Sequence, residues 1–130
     1  MKTKPKPKMI LEDEEFERAE LDFKHDYDKL KNDEFTTIRG KTKYNKFHVG
    51  QIIKITKQGK YFCEATIFNK ELKRICDMSL EFLKADAEYP DFTIYTHDDF
   101  VHLINSFRPP YYHQANVHSP MSVFYLIKIT

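Results

Sequence analysis

The sequence predicts an α+β fold built around a small β-barrel. Segments rich in β-branched and aromatic residues cluster in the middle of the chain, where residues 57–60 form a hairpin turn. Two helical segments follow at 80–87 and 100–107, and one further strand comes after them. Because strands and helices do not alternate, the pattern favours an open barrel of about five to six strands with two to three flanking helices.

The first strands are read from composition and from the residues that interrupt them. Residues 21–23 predict a brief strand and residues 25–31 a short helix with apolar residues on one face. Asn32-Asp33 ends that helix, and residues 34–39 predict a second strand because they contain Phe, two Thr and Ile. Residues 40–48 form a polar, lysine-rich loop.

The predicted hairpin joins strands at 52–56 and 61–69. Gly59 suits its turn because glycine adopts the positive φ that tight hairpins need. Residues 72–76 predict a further, separate strand. We expect Tyr61, which alternates with apolar positions, to lie in the core.

Capping residues mark both later helices. Ser79 is placed to cap the helix over 80–87, and Thr96 with Asp99 forms the pattern of a capping box before 100–107. A last strand is predicted over 121–129.

Length and composition predict one globular domain. The chain has 130 residues, of which 41% are hydrophobic and 32% charged. We place the domain at residues 20–130 and expect a flexible N-terminal extension over 1–19, basic at first and then acidic. Alternating lysine and proline near residue 1 oppose burial there.

The expected compartment is the cytoplasm. No apolar run approaches the roughly 18 residues of a membrane span, and no signal peptide is visible. Cys63 and Cys76 are too few for a disulfide framework or a four-cysteine metal site, so we expect free thiols, with Cys63 buried. We expect no cofactor, no contact with a membrane, and a monomer or weak homodimer.

The six histidines do not predict a metal site either. His97 and His102 are five residues apart, which misses the four-residue spacing of one helix face. His113 and His118 have no cysteine or carboxylate neighbour in sequence. The expected metal content is therefore none.

Charge is strongly segregated along the chain, although the formal net charge is only +1. Residues 36–76 carry ten basic groups and two acidic ones, whereas residues 10–35 and 77–130 are net acidic. A concentrated basic middle indicates a local site for a polyanion such as RNA. The alternative is that the opposite blocks neutralise each other in the fold.

Several segments, in order, carry a family resemblance. They are Thr36-Thr37-Ile38-Arg39, residues 47–55 (Phe-His-Val-Gly-Gln-Ile-Ile-Lys-Ile) and residues 59–63 (Gly-Lys-Tyr-Phe-Cys). With the later helix and the last strand they resemble an ASCH domain of the PUA-like superfamily over roughly residues 20–129. The resemblance implies a PUA-like open β-barrel with flanking helices and a cleft that accepts RNA or a modified nucleoside.

Some small bacterial ASCH proteins of similar layout deacetylate 4-acetylcytidine, and the resemblance implies which residues would do so here. Thr37 matches the family's threonine and Arg39 its arginine, whereas the position of the family's lysine holds Glu34. Lys31 is then the nearest substitute for that lysine. The candidate carboxylates are Glu88 and Asp91.

Strand parity assigns these residues to faces. Thr37 and Arg39 are two residues apart and share one face, while Thr36 points to the other face. We therefore expect Thr37 and Arg39 to line the cleft, with the lysine-rich loop binding phosphates at its edge and a tyrosine stacking on a base. The candidate nucleic-acid-binding residues are Arg39, Lys41, Lys43, Tyr44 and Lys46.

The leading hypothesis is an RNA- or nucleoside-binding domain without catalysis, because Glu34 stands where the family has lysine. The first alternative is a nucleoside amidohydrolase acting on 4-acetylcytidine-like substrates through Thr37, Lys31 and a carboxylate. The second is a protein-interaction module whose acidic N-terminal segment meets a basic partner.

Overall fold

The computed structural model describes residues 19–108 and 113–129, so the predicted N-terminal extension lies outside the described residues except for Ala19. Five strands form one sheet: β1 (Glu20–Phe23), β2 (Glu34–Gly40), β3 (Ile52–Lys57), β4 (Lys60–Arg74) and β5 (Pro120–Lys128). Two α-helices lie between β4 and β5: α1 (Leu80–Ala87) and α2 (His97–Ser106). None of the helices described is long and apolar enough to span a membrane.

The sheet has the strand order β1-β3-β4-β5-β2 and curls into a half-barrel. β1 pairs in parallel with β3, and the other three pairings are antiparallel. The predicted α+β open barrel is therefore confirmed at this level. β1 and β2 are the two edge strands, and the Phe23 and Phe35 rings meet between them with centroids 6.1 Å apart. The gap between these edges positions the site described below.

Buried apolar residues form two clusters on opposite faces of the sheet. The first receives side chains from all five strands, among them Phe35 and Phe124. The second lies between the other face and the two helices and includes Ile38 and Val123. β2 and β5 alternate between the clusters because successive side chains of a strand point to opposite faces.

Both predicted helix caps are confirmed. The Ser79 hydroxyl accepts a hydrogen bond from the backbone N–H of Phe82 at 3.1 Å. Thr96 and Asp99 form a reciprocal capping box, so α2 begins at His97, three residues before the predicted start.

Two local predictions of secondary structure were wrong in part. The helix predicted over 25–31 is only a 3₁₀ turn, Asp28–Lys31. The strand predicted over 72–76 is the continuation of β4, a single strand of 15 residues. A register shift between Ile67 and Asn69 lets β4 bend and continue past the polar Asn69-Lys70 pair.

Tyr61 does not lie in the core, because its side chain is 59% exposed. Thr56 pairs with Tyr61 whereas the preceding Ile55 pairs with Cys63, so Phe62 is an extra residue at a β-bulge. The bulge changes the alternation of faces, which leaves Cys63 buried and turns Tyr61 outward.

The hairpin turn between β3 and β4 requires positive φ at both central residues, Gln58 (50°) and Gly59 (82°). We expect Gly59→Ala to destabilise the fold by about 1–2 kcal/mol, because a Cβ is disfavoured in that conformation. Gly40→Ala is the matched control, since Gly40 has φ −58° and open space around an added Cβ. The control should be neutral or stabilise by up to about 1 kcal/mol in urea unfolding. Equal effects of the two substitutions on stability would contradict the positive φ assigned to Gly59.

Candidate functional site

A cleft opens between the edge strands β1 and β2, with a cavity of about 100 Å³. Side chains from both strands, from the turn Asp28–Lys31 and from both helices line it. Its apolar walls include Phe23, Phe100 and Phe107. The polar side chains on which its chemistry depends are Tyr27, Lys29, Thr37, Arg39 and Asp86.

Strand β2 contributes Thr37 and Arg39, which share the cleft-facing side as parity predicts. Arg39 Nε donates a hydrogen bond to the Thr37 hydroxyl oxygen at 2.8 Å. Its Nη2 donates to the backbone carbonyl of Asp22 on β1 at 3.1 Å, which links the two edges of the half-barrel. The guanidinium also lies over the Phe23 ring, 5.0 Å from its centroid. Burial lowers the pKa of Arg39, but a guanidinium stays charged at any physiological pH.

The Asp22 side chain does not take part in this contact. Its carboxylate accepts hydrogen bonds from the Thr56 hydroxyl at 2.5 Å and from the Gly59 N–H at 2.9 Å. The bond from Thr56 is the main reason why the pKa of Asp22 lies below its usual value. Asp22 therefore ties β1 to the hairpin and offers only its carbonyl to Arg39.

The centre of the cleft holds a buried ion pair that the sequence reasoning did not identify. Lys29 Nζ lies 3.0 Å from Asp86 Oδ1, and both side chains are only 6% exposed. The ammonium also faces the rings of Phe23 and Tyr27 at 5.1 and 5.2 Å. Burial lowers the pKa of Lys29, and the charge of Asp86 opposes that shift.

Asp86 also contacts Thr36, whose side chain lies on the face of β2 that packs against the helices. The Thr36 hydroxyl donates to Asp86 Oδ1 at 2.7 Å, so one carboxylate oxygen receives both Thr36 and Lys29. Parity placed Thr36 away from the cleft, and its side chain does point to the other face. Because β2 is an edge strand, the carboxylate at the end of α1 can join the two faces.

Aromatic side chains surround the cleft. Tyr27 is buried, and burial raises the pKa of its phenol well above the usual value, so the hydroxyl remains neutral. The His25 ring stacks on Tyr89 with centroids 4.1 Å apart and planes 8° apart. His25 also lies 5.7 Å from Phe107, whose side chain is 38% exposed and lines the cleft.

The lysine and the carboxylates named from the sequence lie elsewhere. Lys31 is exposed at the end of the turn Asp28–Lys31, and Asp91 is exposed in a loop. Glu88 accepts hydrogen bonds from the Ile94 N–H at 2.8 Å and from Lys84 at 3.1 Å, and these contacts lower its pKa. None of the three lines the cleft, where Lys29 and Asp86 supply the ammonium and the carboxylate instead.

The lysine-rich loop lines a second depression, a groove of about 780 Å³. Lys41, Lys43 and Lys46 contribute to it. Tyr44 does not, since its ring lies under Lys70, whose Nζ is 4.2 Å from the ring centroid and donates to the Tyr44 carbonyl at 2.7 Å. Tyr44 thus helps to fold the loop and is half-buried.

Across residues 19–108 and 113–129, no group of three or more histidine, cysteine or acidic side chains is arranged to hold a metal ion.

Comparison with known proteins finds a relative that aligns with most of this chain. The uncharacterized protein MJ0364 of Methanocaldococcus jannaschii is 44% identical to this chain over 112 residues, which cover 85% of this chain and 96% of that protein. No family model matches the sequence, and no solved structure matches it.

Proposed function

The chain belongs to the same family as the uncharacterized protein MJ0364, and we propose that it is an ASCH/PUA-like domain that binds RNA or a modified nucleoside in the cleft. The observation that carries this proposal is a set of polar side chains between aromatic walls at the open edge of the half-barrel: the buried Lys29, Thr37 and Asp86 and the half-buried Arg39. Donors and acceptors fixed between aromatic rings suit a planar, polar heterocycle. We also propose that the protein is cytoplasmic and is a monomer or a weak homodimer, as expected from the sequence.

The size of the cleft limits what enters it. Its cavity of about 100 Å³ is smaller than the roughly 150 Å³ of an engineered cavity that holds a benzene ring. A single base edge therefore fits between β1 and β2, and the sugar stays outside.

The proposal predicts that Thr37→Val weakens nucleoside binding about tenfold or more. The substitution keeps the shape of the side chain but removes the hydroxyl whose proton Arg39 leaves free for the ligand, and a buried ligand group left without its partner costs about 1–3 kcal/mol. Calorimetric titration with cytidine, uridine, adenosine and 4-acetylcytidine measures this loss. Thr66→Val, in the half-buried part of β4, is the matched control. Equal binding by both variants, or no binding of any of the four nucleosides, contradicts the proposal.

Amide hydrolysis is the second candidate, and a specific observation favours it. A lysine whose pKa is lowered by burial lines the same cleft as the Thr37 hydroxyl. In this reaction the neutral amine of Lys29 takes the hydroxyl proton while Thr37 Oγ attacks the amide carbonyl. The leaving amine departs with a proton, and water then hydrolyses the threonine ester to release the acid. Release of acetate from 4-acetylcytidine measures this activity.

Two contacts support these roles. Arg39 donates to Thr37 Oγ1, which stabilises negative charge as it develops on that oxygen and leaves the hydroxyl proton free for another acceptor. Asp86 holds the Lys29 side chain in place and is itself fixed by Thr36.

A further inference from the structure

We propose that the groove beside the cleft binds the phosphodiester backbone of a single polynucleotide strand, so that the cleft receives a base within a strand and not a free nucleoside. This inference rests on the proposed function, because it assumes that the cleft binds one base of the strand. It extends the phosphate contacts expected of the lysine-rich loop to a groove that also includes Phe107, Arg108 and His113.

The groove is basic throughout the part of its lining that the structure describes. Its charged and titratable residues are Lys41, Lys43, Lys46, Arg108 and His113, and none of the described lining residues is acidic. Two surface cations elsewhere have an acidic partner: Lys57 pairs with Asp26 and Arg74 with Asp77.

The three groove lysines have no ion-pair partner among the described residues. A concave surface lined by unneutralised cations attracts a polyanion, and several phosphates of one strand satisfy it better than a single phosphate.

The groove adjoins the cleft. Phe107, at the end of α2, lines both of them. At the end of β2, Arg39 lines the cleft and the next residue, Gly40, lines the groove. A base inserted between β1 and β2 therefore places its sugar near Phe107, and the phosphates that follow enter the groove.

Phe107 can also contact a neighbouring base. Its ring is partly exposed and is supported from behind by His25, with centroids 5.7 Å apart. Stacking of a base on an aromatic side chain tolerates any sequence. Phe107 would then separate the base in the cleft from the next base of the strand.

The dimensions of the cleft favour a single strand over a duplex. The cleft admits one base edge, and a paired base is stacked on both sides, so a base reaches the cleft most easily from a single strand or after it leaves a helix. The groove is several times larger than the cleft, which fits a backbone that extends beyond one nucleotide.

The experiment compares the strand with the free nucleoside in two matched variants. The groove variant is Lys41→Ala/Lys46→Ala, and the control is Lys31→Ala/Lys60→Ala; all four lysines are exposed, and both variants lose the same charge. Binding of a short labelled RNA strand, a DNA strand of the same sequence and the corresponding duplex is measured by fluorescence anisotropy over a range of salt concentrations. Binding of the free nucleoside is measured by calorimetry.

We expect the strand to bind more tightly than the nucleoside and with a steep dependence on salt. The groove variant loses two phosphate contacts, so the slope of log affinity against log salt becomes shallower by about 1.4, while nucleoside binding is unchanged. The control variant keeps the wild-type slope. A preference of the single strands over the duplex supports the inference whichever sugar they contain.

Three outcomes overturn the inference. If the groove and control variants bind the strand equally, or if the duplex binds as well as the strand, the groove is not a backbone site, and nucleoside binding in the cleft can still hold. If Thr37→Val leaves strand binding intact while the groove variant weakens it, the strand does not place a base in the cleft. That last result also counts against the proposed function, which the first two leave standing.

Discussion

Replacing Asp86 by alanine is expected to destabilise the fold by about 3–5 kcal/mol at neutral pH. The Lys29 ammonium is 6% exposed and would lose the carboxylate that now lies 3.0 Å from it. A buried charge without a partner costs far more than an intact pair contributes. The Thr36 hydroxyl would lose its acceptor as well. Urea unfolding of the two proteins measures the difference.

The pH dependence of this loss gives a sharper test. Burial lowers the pKa of Lys29, and the charge of Asp86 raises it. Without Asp86, the pKa of Lys29 in the folded state therefore falls further below the value of 10.5 for an unperturbed lysine. The unfolded chain then binds more protons than the folded one, and stability rises with pH between the two pKa values. The difference in free energy of unfolding between the wild type and Asp86→Ala should therefore become smaller as the pH rises from neutral towards 10.

Two controls accompany this prediction. Asp91→Ala removes an exposed carboxylate from a loop and should change stability by no more than about 0.5 kcal/mol. The double variant Lys29→Met/Asp86→Leu replaces both charges with apolar groups and should recover much of the lost stability. A loss that is the same at every pH would mean that Asp86 acts by packing and not by compensating Lys29.

If the cleft hydrolyses 4-acetylcytidine, the second candidate function, Lys29→Met is expected to lower acetate release by a factor of about 10²–10⁴, the range of general base catalysis. Lys31→Met should leave the rate unchanged, because Lys31 is exposed and lies outside the cleft, although it belongs to the same 3₁₀ turn. The wild-type rate should rise with pH as Lys29 loses its proton, with a midpoint below the ordinary pKa of lysine.

The folding of the Lys29 variant must be checked, since the substitution leaves Asp86 buried without its partner. The double variant Lys29→Met/Asp86→Leu supplies a stably folded protein that also lacks the amine. Activity in that double variant, or equal losses from Lys29→Met and Lys31→Met, would rule out Lys29 as the base. No turnover by the wild type would restrict the cleft to binding.

Strand parity and capping chemistry made much of this architecture predictable. Thr37 and Arg39 face the cleft because successive side chains of a strand point to opposite faces. Ser79 and Thr96 cap the two helices because their hydroxyls accept hydrogen bonds from backbone N–H groups three residues further on. These are local rules that act over two to four residues. Tyr61 marks their limit, since one extra residue at a bulge reverses the faces of a strand.

Lys29 and Asp86 were missed because their pairing is not local. The two residues are 57 positions apart and meet only when α1 packs against the turn after β1. Lys31 and Glu88 were preferred for their places in the sequence, although both point away from the cleft. One signal was present: Asp86 lies three residues after the buried Leu83 and next to the buried Ala87, on a helix face that ordinarily excludes acids.

The bond from Arg39 to the Asp22 carbonyl bears on how exposed the sheet edges are to other chains. An open sheet leaves unpaired backbone groups along its two edge strands, and these groups invite strands of other chains to add to it. Here the edges turn towards each other, and a guanidinium from one occupies a carbonyl of the other. This contact shields part of one edge, so the proposed recognition of a ligand in the cleft and protection against edge-to-edge association would share the Arg39 side chain.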